Sequence, residues 1–66
     1  MHVEMIIKEV RTEKNMSLAK LAERTGISST HINDVENGFK EPGITVLVRL
    51  AKGLGVSVTD LYKVHW

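Results

Sequence analysis

Apolar residues recur along this chain at steps of three and four, and short polar or glycine-bearing segments interrupt them. Val3, Ile6, Ile7 and Val10 follow i, i+3, i+4, i+7, which predicts an amphipathic first helix ending near Lys14 or Asn15. Ser17 stands where an N-cap would open a second helix, with Leu18, Leu21 and Ala22 on its buried side and Gly26 at its end. Ser28 caps a third helix that runs to about Glu36, and Asn37-Gly38 stops it. A loop from Phe39 to Gly43 holds the only proline, Pro42. The fourth helix carries Ile44, Leu47, Val48, Ala51 and Leu54 in register, with Val46 and Leu50 as a second stripe and Gly55 closing it. This most apolar helix is expected at the centre of the molecule. Ser57, with Asp60 three residues later, resembles a capping box for a last short helix bearing Val58, Leu61 and Tyr62. No segment reads as a strand, a repeat or a linker. The expectation is an all-α fold, one domain over residues 1–66, built as a compact bundle of about five short helices.

Within that bundle, the steps from Leu18 to Val35 carry the most information. Ala22 is small enough for a neighbouring helix to approach, and Gly26 can take the positive φ that ends the helix. Ile32 and Val35, three apart, share one face of the third helix and anchor it to a core. Two short helices crossing at a glycine turn make a helix-turn-helix, whose second helix can enter the major groove of DNA.

Composition narrows the setting. A chain of 66 residues buries a modest fraction of its surface, so further stability usually comes from a disulfide, a metal or a second subunit. The chain has no cysteine, which excludes the first and leaves no thiolate ligands. His2, His31 and His65 lack metal-ligand spacing, so neither a metal nor any other cofactor is expected. No apolar run approaches the roughly 18 residues of a membrane span, and the N-terminus does not read as a signal peptide. A cytoplasmic location is the expectation. Nine basic against eight acidic residues leave a net charge of +1, so any DNA-binding surface has to be local. There is no phosphate loop and no nucleophile–base–acid set, which argues against an enzyme.

Taken together, the motifs Met16-Ser17-Leu18-x-x-Leu21-Ala22, Thr25-Gly26-Ile27-Ser28, Ile32-x-x-Val35-Glu36-Asn37-Gly38, Pro42 and Leu50-Ala51-x-x-Leu54-Gly55-Val56-Ser57 resemble the lambda-repressor-like, Cro/repressor-type helix-turn-helix family, also called the xenobiotic-response-element family. The resemblance covers about residues 5 to 62. It implies a transcriptional regulator, most often a dimeric repressor reading an inverted-repeat operator. It also implies a structural ion pair between Arg11 on the first helix and Glu36 at the end of the recognition helix. One position departs from the family: Leu18 stands where a DNA-contacting glutamine is common. Leu18 is therefore expected in the core or at its rim, while backbone N–H groups after Ser17 remain free to hold a phosphate.

On the third helix Ile32, Val35 and Glu36 define the inward side and leave Thr30, Asn33, Asp34 and Asn37 opposite, flanked by Ser29 and His31. The resemblance matches Ser29, Thr30 and Asp34 to base-touching positions and Asn37 to one near the DNA backbone. The chemistry fits such a role: Asn33 can pair with adenine, Asp34 can accept from cytosine N4, and the Thr30 methyl can pack on thymine. Protonation of His31 would add a cation there at lower pH. No lysine or arginine lies between Thr25 and Phe39, so phosphate contacts are expected from Ser17, Lys20, Ser28, Asn37 and Lys40. Lys8, Lys14, Lys52 and Lys63 read as solubilising charges.

The C-terminal Val58, Leu61, Tyr62, Val64 and Trp66 form an apolar cluster near a free chain end and are the expected homodimer interface. A two-fold pair would set two recognition helices about 34 Å apart. A second reading, kept open by the near-neutral charge, is a protein-interaction module such as an antitoxin that holds a partner protein.

Overall fold

The computed structural model describes all of residues 1–66. The chain runs β1 (His2–Met5), α1 (Ile7–Glu13), α2 (Leu18–Thr25), α3 (Ser29–Glu36), α4 (Ile44–Leu54), a single 3-10 turn (Val58–Leu61) and β2 (Tyr62–His65). Ten apolar residues, drawn from every helix, the α2–α3 turn and the 3-10 turn, close one core: Ile7, Leu21, Ile27, Ile32, Val35, Leu47, Leu50, Ala51, Leu54 and Leu61. α4 supplies four of these and lies at the centre, as its composition predicted.

Two expectations fail at the chain ends. The molecule is mostly helical rather than all-α, with four α-helices, not five, and a small two-stranded sheet. Val3 lies in a strand, and α1 begins only at Ile7. β1 pairs antiparallel with β2 in the register His2↔His65, Val3↔Val64, Glu4↔Lys63 and Met5↔Tyr62. Both segments alternate apolar and polar residues, the pattern of a half-covered strand, and Val3 happens to satisfy the helical spacing as well. The deciding partner lies some sixty positions away, where no local pattern registers it. Beyond the sheet, Ile6 donates its N–H to the Leu61 carbonyl (2.9 Å), which ties the start of α1 to the 3-10 turn. The anticipated last helix shrinks to that one turn. Asp60 accepts the Ser57 N–H at 2.9 Å as the capping motif implied, but Tyr62 is already extended.

On α4, Ile44 and Val48 share a helical register with Leu47, Ala51 and Leu54, yet they are 70% and 48% exposed. Leu47, Leu50, Ala51 and Leu54 fill the inward face, and one residue's step of about 100° carries Val48 off it. α2 and α4 approach closely at Gly53. A Cβ there would lie 2.6 Å from Thr25 Cγ2 and 3.1 Å from Leu21 Cδ1.

Candidate nucleic-acid interface

α2 and α3 are built as the sequence implied. Ser17 caps α2 by accepting the Lys20 N–H at 3.0 Å. Gly26 ends it in the left-handed region, at φ 71°, and donates its N–H to the Ala22 carbonyl at 2.9 Å. Only two residues follow before α3, and Ser28 caps that helix through the His31 N–H at 3.1 Å. Ile32 is fully buried and Val35 nearly so. Each such side chain contributes about 1.5–3 kcal/mol of burial, so the inner face of α3 is firmly seated and its outer face is presented rigidly. Leu18, where the family often has glutamine, packs against the core.

The far end of α3 is held by an ion pair. Arg11 Nε donates to Glu36 Oε2 at 2.7 Å and Nη2 to Oε1 at 3.1 Å, while Nη1 donates to the Met16 carbonyl at 2.9 Å. Their side chains are 12% and 2% exposed. The hydrogen bonds and charge of Glu36 raise the Arg11 pKa above its ordinary value, outweighing the opposing effect of burial. The fork geometry suits a bidentate guanidinium–carboxylate pair. The pair implied by the resemblance is present, and it locks the end of α3 to α1.

Ser28, Ser29, Thr30, Asn33 and Asn37 are exposed on and beside the outer face of α3, with His31 and Asp34 half-buried at its sides. Asn37 Nδ2 donates to Asn33 Oδ1 at 3.2 Å, one helical turn away. That contact engages one lone pair of the Asn33 oxygen and leaves its Nδ2 donor without a protein partner. Asp34 also contacts the turn that follows α3. Its carboxylate lies 3.9 Å from Lys40 Nζ, and its carbonyl accepts the Phe39 N–H at 2.8 Å. The backbone bond closes the turn after α3, and the long, partly exposed pair with Lys40 is weak. Lys20 lies 3.5 Å from Glu23 on the surface of α2, a weak exposed pair that yields readily to a phosphate. Sequence reasoning passed over Phe39, which is 77% exposed beside Lys40. A lone aromatic in a loop carries no periodic signal.

The expected C-terminal interface is only partly available. Leu61 is wholly buried in the core and cannot face a partner, because the 3-10 turn points it inward. Val58 and Tyr62 are half-buried against the same core. Val64 and Trp66 remain exposed, Trp66 at 94%.

A glycine turn between two short, capped helices, the second anchored inward and polar outward, defines a helix-turn-helix protein. Residues 7–61 match the sequence profile of the helix-turn-helix family, and the chain belongs to it. It is 39% identical over 56 residues to an uncharacterised HTH-type transcriptional regulator of Mycobacterium tuberculosis, covering 85% of this chain and 40% of that protein. It is 36% identical over 56 residues to the HTH-type transcriptional regulator SinR of Bacillus subtilis, covering 83% of this chain and 50% of SinR. Among solved structures, the restriction-modification controller protein C.AhdI of Aeromonas hydrophila superposes with a TM-score of 0.79 at 26% identity, covering 82% of each chain. The structure of SinR, the master regulator for biofilm formation, in complex with DNA gives 0.75 at 35% identity, covering 80% of this chain and 86% of that one. The chain thus spans half or less of these two curated relatives.

Proposed function

We propose that this chain is a sequence-specific DNA-binding transcriptional regulator that inserts α3 into the major groove and acts as a homodimeric repressor. The observation that carries the reading is the rigid outer face of α3. Thr30 and Asn33 stand exposed there, while Ile32, Val35 and the Arg11–Glu36 pair fix the helix behind them. Family membership and the likeness to SinR, whose solved structure contains DNA, support it. Ser29, Thr30, His31, Asn33 and Asp34 are the base-facing set. Ser17, Lys20, Ser28, Asn37 and Lys40 hold phosphates, the serines through the helix ends they cap. Val64 pairs with Val3 across the sheet, and with Trp66 it supplies exposed apolar surface for a second copy. Val58 and Tyr62 flank that surface. The chemistry is recognition rather than catalysis, with no cofactor or metal in it. No helix is long and apolar enough to cross a membrane, and a cytoplasmic setting fits a DNA ligand.

The test is selection from a random duplex library with the mass of the recovered complex measured alongside. An enriched inverted repeat carrying two chains supports the reading. A folded protein that enriches no sequence, or one that binds as a tight monomer, refutes the regulator or its dimer respectively.

A further inference from the structure

The outer side of α4 takes no part in the interface described above. Ile44 and Val48, one turn apart and exposed, line a shallow depression of about 230 Å³ with Thr45 and Arg49. Beside it opens a cavity of about 680 Å³ whose only charged side chains are Arg24, Arg49 and Lys52. Arg49 borders both, so apolar and cationic surface are continuous. The four ion pairs of the molecule involve none of these three cations. Arg24 instead donates Nη1 to the Gly53 carbonyl at 3.1 Å, which holds its guanidinium across the junction of α2 and α4. Three unopposed cations are a marked local excess in a chain whose net charge is +1. Arg24 lies in the last turn of α2, which a rise of 1.5 Å per residue puts about 10 Å along the helix from the Ser17 end.

We propose that this face docks an acidic amphipathic helix of a partner protein. Ile44 and Val48 offer the i, i+4 apolar step into which such a helix sets its own apolar stripe. Carboxylates flanking that stripe meet Arg24, Arg49 and Lys52, two of them guanidiniums suited to bidentate pairing. A second DNA duplex matches the charge but offers nothing to cover Ile44 and Val48. The proposal does not rest on the DNA reading, because peptide binding and duplex binding are read out separately.

The experiment is a selection of phage-displayed helical peptides, each long enough to lie along α4, on the immobilised 66-residue chain. Enriched peptides are then titrated by fluorescence anisotropy and mapped by amide NMR. The expected peptides are rich in Asp and Glu, carry an i, i+4 apolar pair and shift the outer residues of α4. Val48→Asp and Arg49→Glu should each weaken them at least about ten-fold, with melting temperature and duplex binding unchanged. Ile44→Ser provides a second apolar variant should Val48→Asp unfold. Absence of enrichment overturns the proposal, as do peptides that map to Lys20 and Lys40 or affinities indifferent to these substitutions. Loss of duplex binding in Arg49→Glu would reassign the cations to phosphate contacts, and loss of dimerisation in Val48→Asp would reassign the face to a second copy.

Discussion

Replacing Glu36 with alanine should remove about a third or more of this domain's stability. The substitution strands the Arg11 guanidinium, whose side chain is 12% exposed and whose two bonds to Glu36 measure 2.7 and 3.1 Å. Breaking one side of a buried pair costs about 3–5 kcal/mol. The lower end applies here, because Arg11 keeps its 2.9 Å bond to the Met16 carbonyl and some contact with water. A chain of 66 residues has a stability of about 3–10 kcal/mol at ordinary per-residue values, so about 3 kcal/mol is a third or more of the total. At about 4–8 °C per kcal/mol the melting temperature should fall by roughly 12–24 °C. Circular dichroism during urea and thermal unfolding measures it. The double variant Arg11→Met, Glu36→Leu should lose less than Glu36→Ala, because no charge is left buried and unpaired. A single variant that loses under about 1 kcal/mol, the range of exposed pairs, would refute the reasoning. So would a double variant less stable than the single one. The pH dependence has a definite sign. A raised Arg11 pKa contributes stability that is fully present below the unfolded value and lost only as pH rises through the folded one. That window is strongly alkaline, so the arginine's share should stay constant from pH 6 to pH 9.

Other consequences can be checked on the same protein. Asn33→Ala should cost about 1–3 kcal/mol of discrimination at one operator base pair, read by competition between duplexes, with melting unchanged. Gly53→Ala drives a methyl to within 2.6 Å of Thr25 Cγ2 and should destabilise by about 1–3 kcal/mol in urea; equal stability would mean that α2 and α4 pack less tightly than described. Removing Trp66, which is 94% exposed, should leave the fold intact but weaken dimerisation in analytical ultracentrifugation, and unchanged association would move the interface elsewhere. Lys40→Ala should weaken binding to all duplexes alike and lower the salt slope by about one, whereas an effect confined to one sequence would contradict a phosphate role.

How far the molecule could be read from its sequence differs between its middle and its ends. The helix-turn-helix was legible because its determinants are local. Ser17 and Ser28 cap the helices they immediately precede, Gly26 turns the chain where it stands, and Ile32 and Val35 anchor α3 by their three-residue step. The Arg11–Glu36 pair, 25 positions apart, came through resemblance alone, since no spacing rule links two such residues. The sheet was hidden because each strand is four residues long and its partner sits at the opposite terminus. Leu61 was misassigned for a related reason. Whether an apolar residue near a chain end faces the core or a partner depends on the turn that carries it, and a 3-10 turn aims its side chains differently from a continued helix. Within the candidate site, exposure of Thr30 and Asn33 followed from the helical wheel. The Asp34–Lys40 and Asn33–Asn37 contacts that refine their roles required coordinates.

The central claim is that the outer face of α3 reads base sequence, and paired duplex selections test it most directly. One uses the wild-type chain and the other uses Thr30→Ala, Asn33→Ala, two exposed positions whose loss leaves the core untouched. The account predicts an inverted repeat from the wild type. It predicts that the variant, still folded, loses preference at a few symmetry-related base pairs while keeping its salt-dependent affinity for DNA. The same motif recovered with equal strength from both proteins would contradict it.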